Sequence, residues 1–564
     1  MRFRFSSLVV ITALAGTLLA SFAVPAVQAS APKYLVAFQS EPSSGWTQRN
    51  FNPLIPSGAL DFTRGAIYEP LMVITQAGGG KTYPWLATSY KWAKGNKSLT
   101  VYLRHGVKWS DGQAFTSADV VFTFNYGKQY NVDLTGLMTS GQISSVTASG
   151  DYAVVFKFST VNTTVLQPLL SNVCIIPQHI WASHTDPLTF TNPNPVGTGP
   201  FTQVLQFQNS EYILGKNPYY WKSLKYDGLA VPAFSGNDSA LASMLTGNVD
   251  WAPVSVTNAQ TAWVAKAPQY NHYFYSPPTP PLSLMFNDSQ YPYNLSAFRQ
   301  ALSMAINRKS LSVQAESGYE KPADALGIKF LYPSWVPKSV SKLNNQLSSF
   351  NSNGALSLLK KNHFKFSHGK LYDPHGNRVQ MGITCPAGWN DWVSQLQILK
   401  QNFSKIGIAV TINPNADQNT WFNWRSSRTM GGKFYGLFGT ESSGQTPYQY
   451  FWSIMSKESY FPINGNQPGG TWNIAGWYSS KATSLLKQFR ATSNSKLQHS
   501  IVSQLASIWL NNMPVITTVT QANWYDWSTR HFTGFPTQKN YYAYGAAYTY
   551  PDDVKVLTSV TPVS

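Results

Sequence analysis

Hydrophobic and polar residues alternate with two different periods along this chain. Between Ser98 and Lys108 they alternate at every second residue, which is typical of a half-buried β-strand. In three later segments, apolar residues recur three and four positions apart and form one stripe, the pattern of an amphipathic helix. These helices are predicted over residues 297–306, 392–403 and 501–509. Gly407 and Pro514 follow the last two segments and are expected to end those helices.

Two segments rich in proline divide the chain, residues 193–201 and 276–281. Such segments favour turns over long regular elements, so we expect the chain to pass from one lobe to another there. Strands and helices lie in separate groups, which predicts an α/β protein of several lobes. Lobes that are joined by more than one crossing would form a hinge.

The N-terminus has the three-part layout of a secretory signal. Arg2 and Arg4 form a positive head, the apolar run Leu8–Ala20 follows, and Val27-Gln28-Ala29 offers a small-residue cleavage pattern. The apolar run has 13 residues, whereas a membrane span needs about 20. Because no cysteine lies near the cleavage pattern, we expect an exported protein without a lipid anchor, periplasmic or at the cell surface, that is cleaved near Ala29.

The charge balance is basic, with 42 Lys and Arg against 24 Asp and Glu, a net charge of +18. The basic residues are scattered without the spacings of nucleic-acid binders, so no nucleic-acid partner is predicted. Attraction to an anionic cell envelope accounts for the sign. The scarcity of carboxylates also suggests adaptation to acid, since few groups would destabilise the fold on protonation. Cys174 and Cys385 are interpreted as buried thiols in different lobes.

Catalytic motifs are incomplete in this sequence. A Gly-rich phosphate loop ending at Lys81-Thr82 lacks its first glycine, because Thr75 stands there. The dinucleotide fingerprint that begins at Gly197 lacks its third glycine, at Thr202. No nucleophile elbow or zinc-helix motif occurs, and the histidines of residues 363–375 lack zinc-helix spacing. The sequence therefore predicts a protein that is not an enzyme and that needs no cofactor and no metal.

A family resemblance rests first on Ser98–Phe124, SLTVYLRHGVKWSDGQAFTSADVVFTF. Further motifs follow in order: Asn52-Pro53-Leu54, Tyr68-Glu69-Pro70-Leu71, Gly197-Thr198-Gly199-Pro200-Phe201, Asn217-Pro218-Tyr219-Tyr220-Trp221, Phe298–Arg308 and Gly318-Tyr319. With these motifs the mature chain resembles the family 5 extracellular solute-binding proteins, which serve peptide and related ABC importers. Ser117 replaces the alanine that is usual in the first motif. We interpret that motif as structural, with Asp111-Gly112 in a turn and Asp119 at the start of a helix.

The resemblance implies a periplasmic-binding-protein type II fold of the α/β class, with three lobes and a hinged interlobe ligand cleft. Lobe I would comprise residues 30–65, 190–285 and 515–564, lobe II residues 66–189, and lobe III residues 286–514. Two lobes would close over a small-molecule ligand, and the closed form, a monomer, would dock on the ABC permease subunits in the membrane.

The ligand class is left open by the sequence. The resemblance implies that peptide binders pair the peptide's α-amino group with an acid in lobe III, within the stretch that corresponds to Leu437–Tyr448. The family's Asp is absent there, and Glu441 is the only acid nearby. Residues 388–392, GWNDW, together with Thr446-Pro447-Tyr448, resemble instead the branch with cello-oligosaccharide binders. An oligopeptide, a short oligosaccharide, and a secreted enzyme or adaptor remain as alternatives.

Aromatic residues make up 14% of the chain, and flat indole faces suit either sugar rings or peptide side chains. The candidate ligand residues are Trp46, Trp389, Trp421, Trp424, Glu441 and Trp452. Trp46 and Trp389 are favoured because both lie in predicted loops, whereas the neighbouring Trp392 lies on the apolar stripe of a helix and is assigned to the core.

Overall fold

The computed structural model describes residues 32–42, 44–55, 58–75, 80–132, 135, 137–138, 141–416, 418–429, 434–439, 446–465 and 473–563. The predicted signal segment lies outside these residues. Lys33–Ser564 form one compact unit. Within the residues described, no helix is both long and apolar enough to cross a membrane.

The strands are β1 Tyr34–Val36, β2 Met72–Ile74, β3 Thr82–Pro84, β4 Ala87–Trp92, β5 Ser98–Leu103, β6 Ile143–Ala148, β7 Ala153–Phe158, β8 Phe201–Phe207, β9 Glu211–Lys216, β10 Gly228–Pro232, β11 Trp251–Ala252, β12 Asn271–Tyr273, β13 Ser276–Met285, β14 Lys365–Ser367, β15 Lys370–Tyr372, β16 Gln380–Pro386, β17 Ala409–Ala416, β18 Phe434–Gly439, β19 Ile516–Asn523, β20 Asp526–Ser528, β21 Phe532–Thr533 and β22 Thr561–Pro562.

The α-helices are α1 Ser117–Gln129, α2 Leu166–Ser171, α3 Gln178–Trp181, α4 Asn237–Leu245, α5 Ala259–Ala262, α6 Ser296–Ala305, α7 Arg308–Ser310, α8 Ser341–Ser348, α9 Ser352–Lys361, α10 Asn390–Ser404, α11 Gln418–Ser427, α12 Tyr448–Met455, α13 Ser480–Arg490, α14 Ser495–Asn512 and α15 Asp552–Leu557. A π-helical turn, Leu311–Ala315, follows α7.

Four sheets carry the main architecture. Their strand orders are β1-β10-β9-β8, β11-β20-β12, β4-β5-β7-β6 and β17-β16-β18-β13-β19. The last is mixed, because β16 runs parallel to β17 and β18 whereas β13 runs antiparallel to β18 and β19. Helix α10 packs on β16 and β17 of this sheet. Helix α6 packs on α8 and α9 and also contacts β19. The mixture of strands and helices confirms the predicted α/β class.

Three separate hydrophobic cores form inside the compact unit. The first core draws mainly on residues 35–68, 201–263 and 525–560. The second core is built mainly from residues 71–175, around the sheet that contains β5, and the third from residues 282–519. Burial of apolar side chains at about 25 cal/mol per Å² is the main term that stabilises each core. The bounds of the three lobes given above remain a prediction.

The periodic segments fold as their patterns indicate. β5 buries Leu99, Val101 and Leu103 and turns the residues between them outward. Thr116 is the N-cap of α1, where its side chain and that of Asp119 form a capping box. The three predicted helices are α6, α10 and α14, and Gly407 takes a φ of +78° shortly after α10.

Two details differ from the sequence interpretation. The alternation between Ser98 and Lys108 would place His105 on the same face as Leu103, but β5 ends at Leu103 and His105 is exposed. Cys174 packs in the first core together with Ile176, although the predicted bounds put both residues in lobe II. Both cysteines are free and buried, with Cys385 in the third core.

Candidate functional site

Two adjacent strand connections join the first core to the third. β12 continues through Phe274 and Tyr275 into β13, within the predicted Pro-rich crossing, and β19 returns through Trp524 and Tyr525 into β20. The connections lie side by side, because β13 pairs with β19 at Ser276 and β12 pairs with β20 at Tyr273. A pair of strands between two packed bodies is a common hinge arrangement, with ligands bound in the cleft between them.

Buried carboxyl groups from the third core line this junction. The π-helical turn Leu311–Ala315 directly precedes Glu316, and such turns are frequent at functional sites. Glu316 accepts a hydrogen bond of 2.6 Å from Gln395 Nε2 on α10. Glu320 Oε1 accepts a bond of 2.9 Å from the backbone N–H of Ala522 on β19. Each of these carboxyl groups uses one oxygen in this way and leaves its Oε2 buried without a hydrogen-bond partner in the described structure.

The first core contributes acids from the opposite side. Asp526 Oδ1 on β20 accepts a bond of 3.1 Å from the hydroxyl of Tyr275, and its Oδ2 is buried without a hydrogen-bond partner among the residues described. Glu41, in the loop after β1, likewise has an unpartnered Oε1. Asp391, in the first turn of α10, is a further acid at this junction, and its charge acts on acids from both cores. It raises the pKa of Glu41 and also that of Glu316.

Burial and mutual repulsion raise the pKa of these acids. Burial, followed by the charge of Asp391, raises the pKa of Glu41 to about 8, although a hydrogen bond from Trp389 works against the rise. Burial raises the pKa of Asp391 to about 6. For Glu316, burial and then the charge of Glu320 raise the pKa well above its ordinary value. Each shift follows from desolvation of a charged group that lacks a counter-ion.

Aromatic rings form two walls beside the acids. On the α10 side, Trp389 contacts Trp392 and Trp421 edge to face, with ring centroids 4.6 and 5.4 Å away. On the hinge side, Tyr275 contacts Tyr319 and Trp524 in the same manner, at 4.8 and 4.7 Å. Edge-to-face contacts fix the orientation of each ring.

The two sides of the cleft also meet directly in this structure. The backbone N–H of Asn237 donates to Gly388 O at 3.2 Å, and that of Glu41 donates to Gln418 Oε1 at 2.9 Å. A Cβ on Gly388 would lie 2.5 Å from Ser235 O, which is closer than any side chain tolerates. The absence of a side chain at Gly388 therefore permits the two backbones to approach each other.

The predicted ligand residues are distributed unevenly. Trp389 and Trp421 lie together at the cleft, the first half-buried and the second buried. Trp46 lies in the first core, where its indole N–H donates to Val231 O at 3.1 Å. Trp452 lies in the third core and donates to Glu458 Oε2 at 3.0 Å. Trp424 is half-buried against the third core, and Glu441 lies outside the described residues.

Sequence reasoning missed the acids. Asp391 is within the GWNDW motif, of which only the tryptophans carry a predicted role. Glu316 and Glu320 flank Gly318-Tyr319, a family motif that was read only as a marker of the resemblance. A signal was present, since acids are scarce in this chain and two of them occur within five residues. No group of three or more His, Cys, Asp and Glu side chains in the described structure is arranged to hold a metal ion.

Comparison with known proteins agrees with this architecture. A probable ABC transporter-binding protein of Deinococcus radiodurans is 24% identical over 498 residues, which is 80% of this chain and 82% of that protein. The oligopeptide-binding protein AppA of Bacillus subtilis is 26% identical over 345 residues, covering 58% of this chain and 60% of AppA.

A solved structure extends the likeness to nearly the whole chain. It is the mannohexaose-bound periplasmic oligopeptide-binding protein of an oligopeptide ABC transporter from Thermotoga maritima. The TM-score is 0.83 at 25% identity, over 94% of this chain and 99% of that one, and the fold is the type II periplasmic-binding-protein fold. The model of the bacterial extracellular solute-binding proteins, family 5 (Middle), matches residues 81–461. This chain therefore belongs to family 5 of the bacterial extracellular solute-binding proteins.

Proposed function

We propose that this protein is the exported substrate-binding component of an ABC importer. It captures an oligopeptide-like solute in the cleft between its first and third cores and delivers the solute to permease subunits in the membrane. The protein acts as a monomer and catalyses no reaction. The family, whose members serve importers, supports the transport role, and the geometry of the cleft supports the place of capture.

One observation carries the proposal: buried polar atoms at the junction lack partners. Orphan oxygens of Glu316, Glu320 and Gln395 come from the third core, and those of Glu41 and Asp526 come from the first. Each buried polar atom left without a hydrogen bond costs about 1–3 kcal/mol. Such atoms are therefore expected to be satisfied by a solute that the closed cleft surrounds.

A short oligosaccharide is the second candidate. Trp389, which is half-buried and held by Trp392 and Trp421, offers an indole of the kind on which sugar rings stack. The Thermotoga maritima relative binds mannohexaose, which shows that a protein named for oligopeptides can hold a sugar. Both candidates use the same cleft and the same importer role.

The test uses the purified mature protein. Mass spectrometry first identifies any solute that copurifies, and a thermal-unfolding screen with added ligands follows. Short peptides and cello-, xylo- and manno-oligosaccharides are then added singly. A ligand at 100 times its Kd stabilises the folded state by about 2.7 kcal/mol, a clear rise in Tm. Hydrolysis of a ligand during the assay would contradict the proposal, because it would make the protein an enzyme.

A matched pair of variants tests the site. Gly388→Val places a side chain against Ser235 O, so it should hold the cleft open and abolish the rise in Tm. Ala387→Val adds bulk at the preceding, exposed residue and should keep the rise. If Gly388→Val bound the ligand as tightly as the unaltered protein, capture between the first and third cores would be wrong.

A further inference from the structure

We infer that a basic patch on the surface shared by the first and second cores binds the phosphate groups of an anionic lipid membrane. The basic patch consists of the side chains of Lys81, Arg104, Lys222 and Lys555. None of these residues belongs to the third core, so the patch is separate from the cleft that we propose for the solute. Binding there keeps the protein close to a membrane and goes beyond the proposed function.

The first pair of cations in the patch flanks the indole of Trp221. Lys222 Nζ lies 4.5 Å from its ring centroid, and the guanidinium carbon of Arg104 lies 4.2 Å from it. Lys222 Nζ also lies 3.2 Å from the ring centroid of Trp85. Arg104 Nε donates to Trp85 O at 2.7 Å, which holds the guanidinium in place. Contact with a ring orients each cation without supplying a counter-ion.

The second pair flanks the phenol ring of Tyr83. Lys81 Nζ and Lys555 Nζ lie 5.1 and 5.2 Å from its ring centroid. Lys555 is on α15, and its Nζ lies 5.9 Å from the ring centroid of Tyr542. The Tyr83 hydroxyl donates to Tyr542 O at 3.2 Å, which joins β3 to the C-terminal part of the chain. Contacts between distant segments therefore hold the second pair in position.

The two pairs act on each other and form one patch. Burial lowers the pKa of Lys222 to about 7, and the charge of Glu69 opposes this shift. The charges of Lys555 and Arg104 add to the lowering. Burial and then the charge of Lys81 lower the pKa of Lys555. Because like charges disfavour one another's charged forms, a bound anion would relieve the repulsion and keep these cations protonated.

The patch has no negative partner at the surface of the described structure. None of the six ion pairs among the described residues includes one of its four cations. Glu69 is fully buried, and its oxygens accept from the indoles of Trp85 and Trp221 and from the hydroxyl of Tyr220. Burial also raises the pKa of Glu69 to about 7, so it is only partly ionised near neutral pH. The positive charge of the patch is therefore available to an external anion.

The form of the patch suits a layer of lipid headgroups better than one small anion. One of its cations is exposed and three are half-buried, and they come from four separate segments of the chain. The loop of Trp221 also carries Tyr219, which is 45% exposed and has Lys108 Nζ 5.5 Å from its ring centroid. Trp and Tyr side chains are enriched at the depth of lipid headgroups, and clusters of about four to eight basic residues bind anionic lipids. The net charge of +18 attracts the protein to such a surface, and the patch selects the side that faces it.

Binding to the membrane should strengthen as pH falls from 8 to 6. Lys222 and Glu69 both have a pKa of about 7, and protonation makes each of them one unit more positive. Lys555 changes in the same direction because its pKa is also lowered. Arg104 stays charged over this range, and Tyr220, whose pKa is raised well above its ordinary value, stays neutral.

The experiment measures co-sedimentation of the mature protein with lipid vesicles at pH 7 and 0.1 M NaCl. Vesicles of phosphatidylcholine alone are compared with vesicles that contain one part of phosphatidylglycerol in three. We expect at least tenfold stronger binding to the anionic vesicles, loss of that binding in 0.5 M NaCl, and tighter binding at pH 6 than at pH 8. Equal binding to both kinds of vesicle, or weaker binding at pH 6, would overturn the inference.

Inorganic phosphate tests the alternative of a small-anion site. It is added to the anionic vesicles and compared with NaCl of the same ionic strength. We expect the two salts to displace the protein equally, because both only screen the charge. Displacement by phosphate at a concentration where NaCl has no effect would assign the patch to a free anion and would overturn the membrane inference.

Variants separate the patch from the net charge. Lys222→Gln combined with Lys555→Gln removes one cation from each pair and should weaken vesicle binding at least tenfold, since each basic residue near an anionic surface strengthens binding about fivefold. The control is Lys360→Gln combined with Lys361→Gln, which removes the same charge from the exposed end of α9 and should weaken binding less than threefold. Lys81→Glu changes an exposed side chain and is the second test if the first variant does not fold. It should weaken binding at least fivefold more than Lys361→Glu does.

Equal losses for the patch variants and their controls would show that net charge alone attracts the protein, and would overturn the inference. The affinity for the solute identified by the screen should be unchanged in every variant, because the cleft contains none of these residues. A failure of the membrane inference therefore leaves the proposed function standing.

Discussion

The helix start at Asp119 and the cleft at Glu320 both bury a carboxyl group, but they treat it in opposite ways. Asp119 Oδ2 accepts from the N–H of Thr116 at 3.0 Å and from the indole of Trp109 at 3.3 Å, and Oδ1 accepts from the N–H of Gln178 at 3.0 Å. Both oxygens are occupied by groups of the protein itself. Glu320 uses one oxygen, and the other has no hydrogen-bond partner in the described structure.

We expect this difference to separate an acid that stabilises the fold from an acid that would bind the proposed solute. A carboxylate that accepts three hydrogen bonds has recovered the solvation that it lost on burial, so its removal harms the fold. A carboxyl group that keeps an unsatisfied oxygen destabilises the empty protein and gains only when a ligand arrives. Asp119 belongs to the motif that carries the family resemblance, which agrees with the interpretation of that motif as structural.

The largest expected effect is a contrast between Asp119→Ala and Glu320→Gln in chemical denaturation. Asp119→Ala removes the capping box of α1 and leaves the Trp109 indole unpaired, so the free energy of unfolding should fall by about 3 kcal/mol. Glu320→Gln should leave it unchanged or raise it, because one of several repelling acids is removed. Equal losses for the two variants would break the distinction between structural and binding acids.

A smaller effect should appear in the pH dependence of the ligand-free protein. Burial raises the pKa of Glu41 to about 8 and that of Asp61 to about 6, above the values of the unfolded chain. The folded state therefore holds more protons, and the free energy of unfolding should fall as pH rises from about 4.5 to about 8. One pKa unit corresponds to about 1.4 kcal/mol, so the expected loss is at least about 2 kcal/mol.

Urea denaturation at pH 5 and pH 8 measures this loss. Asp227 acts in the opposite direction, because a hydrogen bond from Lys216 lowers its pKa, and its contribution is lost only at more acidic pH. A maximum near neutrality with unfolding by pH 4 would contradict both this prediction and the adaptation to acid suggested by the scarcity of carboxylates.

The effect of Trp389→Ala should be smaller again and should appear in binding. Trp389 is half-buried, contacts Trp392 and Trp421, and shares a hydrogen bond with Glu41. Loss of its ring should weaken the ligand found in the screen about tenfold, equivalent to about 1.4 kcal/mol. Trp477→Ala removes another half-buried indole that packs against the third core and is the control. An unchanged Kd for Trp389→Ala would exclude Trp389 from the ligand site.

Local pattern was enough to find much of the fold. Alternation in residues 98–103 and single apolar stripes in α6, α10 and α14 depend on neighbours within one or two turns, so they can be read from the sequence alone. Trp389 was selected as a candidate in the same way, as an indole in a loop just before an amphipathic helix, and its role in binding stays a prediction. The α/β class followed from the order of these elements.

The acids of the cleft could not be found in this way, because their burial depends on distant parts of the chain. Glu320 is held by Ala522, 202 residues away, and Glu41 is held by Gln418, 377 residues away. In the sequence, both acids stand among polar and proline residues that resemble an exposed loop. Only the folded chain makes these long-range contacts and buries the two acids.

Trp46→Phe is expected to have the smallest effect on binding. The sequence favoured Trp46 as a ligand platform because it lies in a predicted loop, but its side chain is buried in the first core. Its ring contacts Tyr212 edge to face at 5.2 Å, a contact that phenylalanine can keep, and its N–H donates to Val231 O. The substitution should therefore reduce the free energy of unfolding by about 1 kcal/mol through the lost hydrogen bond. The Kd for the ligand should stay within twofold, and a tenfold weakening would instead establish Trp46 as part of the site and extend the cleft into the first core.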